Sequence, residues 1–422
     1  MNPAKARRRA RPLLATAVAL GSAAFLAASA TASPGVAAKK QPRPSVALDW
    51  YDTTAATVAA GGAQTQSTNN RTWAISWLAA ARATRTVPSS VARRDFQDAA
   101  LASAVHNALV SLVPSRTKEL DAALATTLGG IPDGPAETRG VAAGAREARL
   151  VLASRKDDGL DPASVNKPFT VPPATAGVWQ PTPPALAAAQ QNGNRFAKPF
   201  LLERAGQFRV PAPPALGSAR YRTDLAEVRA YGAENSTRRT PRQTETANFW
   251  FGGSLPMFTK PLRVAMSKSS STAEKAKLVA LFHVALVDTQ IATSESKYTY
   301  LRWRPVTAIR TGTIDPDPQW TSLHAAPSHP EYPSGHNTYA GAAETILSVL
   351  TGPRTAPFTM TSPTAPGVTR TYTSWHQLSE ENLDARVFSG IHTRSADEVG
   401  LVLGKQVAAH SLRNAERLFC RL

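Results

Sequence analysis

Three clusters of cations, histidines and small residues lie tens of residues apart between 297 and 397, and any fold for this chain has to place all three. The first runs Lys297-Tyr298-Thr299-Tyr300-Leu301-Arg302-Trp303-Arg304-Pro305. The second is Tyr332-Pro333-Ser334-Gly335-His336, and the third is Arg386-Val387-Phe388-Ser389-Gly390-Ile391-His392, with Asp397 just beyond. Each sits at the edge of a helical pattern. Ser271-x-x-Glu274 reads as a capping box, and Leu278, Leu281, Phe282 and Ala285 form a stripe that carries Lys297 to the C-terminal end of one helix. Ser334 and Gly335 precede the apolar pattern Ala340, Ala343, Leu347 and Leu350. A hydroxyl and a bare backbone N–H are therefore expected at a helix N-terminus, where anions bind readily. A third helix, with its cap expected near Ser379, carries Leu383, Arg386 and Val387, and Gly390 lets the backbone bend before His392.

These residue types suit an oxyanion. Guanidinium forks match its oxygens bidentately and an ammonium adds a point charge. Histidine can be ligand, nucleophile or proton carrier near neutral pH, so His336 and His392 are open to all three roles.

In chain order the clusters read K-x6-R-P, P-S-G-H and R-x5-H. The set resembles the three-part signature of the vanadium-dependent haloperoxidases, within the type 2 phosphatidic acid phosphatase (PAP2) superfamily, over residues 275–410. A looser similarity to secreted bacterial relatives lies in Trp179-Gln180-Pro181-Thr182-Pro183-Pro184. The resemblance implies an all-α fold of helical bundles. It also implies that His392 binds vanadate, with Lys297, Arg304, Arg386, Ser334 and Gly335 neutralising its oxygens and His336 handling a proton beside it. Hydrogen peroxide, halide and a small organic substrate would then be the reactants. In the phosphatase reading the same site takes phosphate from a phosphomonoester, with His392 as nucleophile and His336 as general acid. A non-catalytic secreted protein that only binds an oxyanion is the alternative from another class.

Three residues bear on the choice. His329 resembles the halide-pocket residue that is histidine in bromoperoxidases and phenylalanine in chloroperoxidases, which favours bromide. Ser294 stands where chloroperoxidases have tryptophan. Ala396 occupies the place of the aspartate that follows the family's last histidine, and Asp397 comes one residue late.

Composition narrows the rest. The chain has 422 residues, 42% of them hydrophobic, enough for a sizeable core, and a net charge of +18. Lys5, Arg7, Arg8, Arg9 and Arg11, followed by the apolar stretch 13–30 and the small-x-small site Ala30-Thr31-Ala32, read as a secretory signal over residues 1–32. Its removal leaves +13. The paired arginines leave general and twin-arginine export both open. No basic run is interleaved with aromatics and no zinc-finger spacing occurs, which speaks against nucleic acid. Cys420 is the single cysteine, so no internal disulfide forms and core burial must supply the stability. No second stretch reads as a membrane span.

Residues 33–156 read as an N-terminal helical part after a short polar lead-in, with helices over 71–84, 118–128 and 136–154. Residues 157–216 are Pro-rich, yet Trp179, Phe196, Phe200, Leu201 and Phe208 make them an ordered loop packed on the body, able to carry part of a substrate entrance. Residues 217–422 are the C-terminal helical part with the oxyanion site, including Pro-rich loops at 311–332 and 352–373. Gly400, Gly404 and Ala408 share one face of the last helix and permit close approach of another. His324, His329 and His336 form a conceivable zinc or copper cluster, though spacings of five and seven residues fit no helix or finger. Arg302 is expected in solvent, Asp288 and Glu295 on a solvated helix face, and His106, His283, His376 and His410 in packing or surface roles.

Overall fold

The computed structural model describes residues 44–419. The segment read as a secretory signal and Cys420 lie outside the described residues. Helices α1 (Val46–Gly61), α2 (Gln66–Arg85), α3 (Arg93–Leu112), α4 (Thr117–Gly129) and α5 (Pro135–Ser154) build the N-terminal part. After the short α6 (Pro162–Val165), the only helical pieces in residues 166–216 are two 3-10 turns, Asn192–Phe196 and Ala205–Phe208. Then come α7 (Ala219–Gly232), α8 (Pro241–Phe249), α9 (Ser254–Met266), α10 (Thr272–Tyr300) and α11 (Pro305–Thr311). Helix α12 (Gly335–Thr351), strands β1 (Arg354–Ser362) and β2 (Ala365–Ser374), α13 (Trp375–Phe388) and α14 (Arg394–Arg413) complete the order.

Helix α10 is the axis of the molecule, packed against α2, α12 and α14. Only half of its expected capping box forms: the Ser271 hydroxyl accepts the Glu274 N–H at 3.3 Å, while the Glu274 carboxylate takes the Ser269 hydroxyl instead. At the far end Leu301 turns left-handed (φ 48°) and its N–H closes on the Lys297 carbonyl at 2.9 Å. By length and composition α10 could cross a membrane, which corrects the reading that no second stretch qualifies. Its most apolar window is 89% buried among the other helices, so its hydrophobicity serves the core. That core is continuous. One cluster joins Trp50, Trp73 and Trp77 of the N-terminal part to Phe282, Leu347 and Trp375, so the two helical parts share a single interior.

Residues 352–373 are not a loop. They form the antiparallel hairpin β1–β2, with Phe358 opposite Tyr372 and Met360 opposite Arg370. The sequence Phe-Thr-Met-Thr-Ser alternates buried and exposed, and threonine suits the outer face of a strand. The following helix starts at Ser374, not near Ser379: the Ser374 hydroxyl accepts from the Gln377 N–H and the Gln377 side chain returns to the Ser374 N–H. Ser379 is buried inside α13.

The Pro-rich stretch is ordered because α10 holds it. Asp288, fully buried, accepts the N–H groups of Phe200 (2.7 Å), Leu201 (2.8 Å) and Leu202 (3.0 Å). Glu295 pairs with Arg209 from the same stretch. Neither acid is solvated, contrary to expectation. Trp179 is also fully buried, its backbone N–H bonded to Leu301 O at 2.6 Å, whereas Phe196 remains 62% exposed.

The last helix packs as its glycines require. A Cβ on Gly400 would stand 2.6 Å from the Ser334 carbonyl, and one on Gly404 would enter the Thr338 carbonyl. Helix α14 is thereby seated directly against the first turns of α12.

Candidate oxyanion site

The three clusters meet at the N-terminus of α12. Lys297 comes from the last turn of α10, Arg304 from the entry to α11, and Ser334 and Gly335 from the start of α12. Arg386 lies in the last turn of α13, and His392 in the turn that leads to α14. Gly390 makes the bend expected of it (φ 78°), and a side chain there would strike Gly232.

Lys297, His329, Gly335, His336 and His392 line one cavity of about 250 Å³. Arg304, Ser334 and Arg386 are buried beside it. The same lining is rich in amides, Gln66, Asn166, Gln190, Gln191 and Gln290, with Ser294 among them. Asn166, Gln190 and Gln191 belong to the Pro-rich stretch, which thus lines part of the cavity.

Arg304 organises the wall. Its Nε donates to His329 O (2.9 Å), Nη1 to Ile391 O (2.9 Å) and His392 Nε2 (3.2 Å), and Nη2 to Pro327 O (3.2 Å) and His329 Nδ1 (3.1 Å). Guanidinium has only donors, so His392 Nε2 is an acceptor here, whereas His329 Nδ1 lies between the Arg304 donor and the Pro330 carbonyl, 3.2 Å away. Lys297 Nζ donates to Pro330 O (2.7 Å) and Glu331 O (3.0 Å), which leaves one ammonium hydrogen. Arg386 gives one hydrogen bond, Nη1 to Trp250 O at 3.2 Å, and its buried Nε has no partner. His336 Nε2 meets Gly252 O at 2.9 Å.

The electrostatics follow from packing like charges in a dry place. Burial pushes the Lys297 ammonium well below its ordinary range, and Arg304 adds to the shift. Burial likewise lowers Arg304 to about 9 and Arg386 to about 10. His336 falls to about 3 through burial and then the Arg386 charge, and His392 is held well below the usual range by burial, Arg304 and Lys297. The imidazoles are therefore neutral beside three crowded cations. An anion entering the cavity would relieve that crowding.

Asp397 does not serve His392. It accepts from Asn337 Nδ2 at 2.7 Å and from the Ser334 hydroxyl, and burial raises its pKa well above the usual carboxylate range. The acid beside His392 is Glu331, whose Oε1 lies 3.5 Å from Nδ1. Sequence reading passed over Glu331, although an acid directly before Tyr-Pro-Ser-Gly-His among so many cations was the signal. His324 is tied to Ser389 Oγ and Asn248 Oδ1, both at 3.0 Å, and stacks on Phe251. No histidine or acid cluster able to hold a cation occurs among the described residues, so the zinc or copper reading has no support. Arg302 is buried against Tyr221, with Nη2 on Pro214 O at 2.9 Å; it is neither in solvent nor at the cavity.

Known proteins resemble this chain in sequence and fold. Residues 277–421 match the family model of the VCPO second helical-bundle domain. A vanadium chloroperoxidase of Curvularia inaequalis is 28% identical over 227 residues, 38% of this chain and 37% of that protein. Over these residues this chain is similar to the vanadium haloperoxidases. The chain thus matches little more than a third of that curated relative. A bacterial vanadium-dependent iodoperoxidase superposes with a TM-score of 0.73 at 22% identity, covering 89% of this chain and 98% of that one. The apo form of a bacterial vanadium-dependent chloroperoxidase gives 0.68 at 16% identity, covering 83% and 94%. Such identities establish a shared fold: the helical bundles of the vanadium haloperoxidases.

Proposed function

We propose that this chain is a secreted vanadium-dependent haloperoxidase that uses hydrogen peroxide to oxidise halide, with bromide favoured. The observation that carries the reading is the meeting of Lys297, Gly335 and two neutral imidazoles at one small cavity, with Arg304 and Arg386 buried beside it. The donor set suits vanadate: the unpartnered Arg386 Nε and the spare Lys297 hydrogen are unmet demands for oxygen acceptors in a dry site. Lys297, Arg304, Ser334, Gly335 and Arg386 would hold its oxygens, and the Nε2 lone pair of His392 would be its protein ligand. When bound, vanadate supplies a Lewis-acid centre that activates peroxide toward halide without a change of metal oxidation state.

The chain's own residues do the rest. Arg304 can release to an oxyanion the two donors it now lends to His392 and His329, keeping its carbonyl anchors. His336, neutral and half-open to the cavity, is able to accept a proton there. His329 lines the same cavity, which supports the bromide preference, and so does Ser294, its hydroxyl given to Gln191 O at 2.7 Å, where chloroperoxidases carry an indole. Export rests on the N-terminal sequence alone.

The test is to strip the mature protein with chelator, reconstitute it with orthovanadate, and assay bromination of a phenolic dye alongside hydrolysis of p-nitrophenyl phosphate. Vanadate-dependent bromination that disappears in His392→Ala is expected. Phosphate release without bromination would replace this reading with a phosphatase. Vanadate binding without either activity would leave a non-catalytic oxyanion-binding protein.

A further inference from the structure

His392 is the protein ligand in the reading above, and the acid that should stand behind it in the third cluster is missing. Ala396 is fully buried at that place and gives its carbonyl to the Ser334 N–H at 2.9 Å. Asp397 faces Asn337 and Ser334. A ligand histidine needs its second ring nitrogen engaged, since that contact fixes both tautomer and ring orientation.

Glu331, from the second cluster, is placed for this. Its Oε1 accepts the Thr393 N–H at 2.8 Å and the Thr393 hydroxyl at 2.9 Å, both from the residue that follows His392. An oxygen that accepts two hydrogen bonds carries no proton, so it presents only an acceptor to Nδ1, 3.5 Å away. Nδ1 is buried and has no hydrogen bond as the ring stands. A closing of about 0.5 Å would bring the pair to ordinary hydrogen-bond distance. On the opposite edge Arg304 Nη1 forces Nε2 to be an acceptor. Both edges therefore select the same tautomer. The backbone holds the acid as well: Glu331 N–H bonds to Arg302 O at 2.8 Å and Glu331 O takes Lys297 Nζ, so Glu331 is tied to the first and third clusters at once.

We propose that Glu331 is the positioning residue for His392: its carboxylate holds the ring as the Nδ1–H tautomer, so that Nε2 keeps a free lone pair for the oxyanion even after Arg304 turns its donor to the ligand. The role that a downstream aspartate would have is supplied from the opposite side of the ring. The inference rests on the reading of His392 as oxyanion ligand, and it is tested without peroxide or halide.

The experiment combines ¹⁵N ring-nitrogen NMR on the anion-free mature chain with calorimetric titration of orthovanadate and of inorganic phosphate. The wild-type chain is expected to show His392 protonated at Nδ1. In Glu331→Ala the ring should populate the Nε2–H tautomer and orthovanadate affinity should fall about 10–100-fold. Glu331→Gln, which keeps the shape and one acceptor oxygen, should retain the tautomer, move the Nδ1 proton resonance upfield and weaken binding less than alanine does. A folded Glu331→Ala with wild-type ring resonances and affinity would overturn the proposal. If the alanine variant does not fold, a Glu331→Gln resonance at its wild-type position would overturn it equally. If the wild-type chain binds no orthovanadate, the haloperoxidase reading fails, while the ring resonances still decide what Glu331 does.

Discussion

Arg304 Nη1 donates to His392 Nε2 at 3.2 Å across 88 residues of sequence, joining the first cluster to the third through one buried hydrogen bond. The other donors of the same guanidinium hold three backbone carbonyls and His329. Arg304 is thus both the electrostatic wall of the cavity and the clasp that closes it.

That double role makes Arg304→Lys a severe change despite its conserved charge. An ammonium has three donors and no planar fork, so several buried carbonyls lose their partner. The expected cost is about 2–4 kcal/mol in stability, with orthovanadate affinity reduced more than tenfold. Chemical unfolding and calorimetric titration of the same variant check both numbers.

Gly400→Ala should damage the site from behind. The added methyl would press on the Ser334 carbonyl at the start of α12, with a destabilisation of about 1–3 kcal/mol. Oxyanion binding should suffer beyond the loss of folded protein, because the helix N-terminus itself is displaced. Titration at a temperature where the variant is fully folded separates the two effects.

Asp288→Asn removes an acceptor without changing shape. Its two oxygens serve three N–H groups, and an amide nitrogen must oppose at least one of them. About 2–4 kcal/mol of destabilisation is expected, together with proteolytic nicking within 157–216, read by limited digestion at a temperature below the variant's melting point.

The buried histidines contribute a stability that rises with pH between about 4 and 6.5 in the anion-free protein, against the buried carboxyls of Asp288, Glu331 and Asp397, which burial raises and which pull the other way. Burial lowers His283 and His336 to about 3 and His324 to about 4, so in this window the unfolded chain binds protons that the folded chain refuses. Each such histidine contributes a slope of up to about 1.4 kcal/mol per pH unit. Urea unfolding of wild type and His283→Asn at pH 4.5, 5.5, 6.5 and 7.5 should show a stability difference that changes with pH in this window and levels off above the ordinary histidine range. His283→Asn should reduce the slope without touching the cavity, since His283 sits against Trp73 and Asn70 in the core.

The helical body is legible because it is written in short-range periodicity, and the candidate site because its three spaced motifs come together at the start of α12. What sequence reading missed depends on partners far along the chain. The β1–β2 hairpin looked like a loop because its alternation uses threonine on the exposed face rather than charged residues. Asp288 looked solvated on its helix, since nothing nearby reveals that residues 200–202 aim three N–H groups at it. Helix α10 was not read as a possible span because Lys297 and the polar residues of its last turns dilute its apolar centre. Glu331 was overlooked because attention followed the third motif toward Asp397, whereas the acid beside His392 arrives from the second.

The most direct measurement of the central claim is calorimetric titration of orthovanadate into the chelator-stripped mature protein, beside His392→Ala and Arg386→Ala. One saturable site per chain, displaced by phosphate and weakened at least tenfold in both variants, is the predicted result. No saturable binding, or binding that both substitutions leave unchanged, would contradict it.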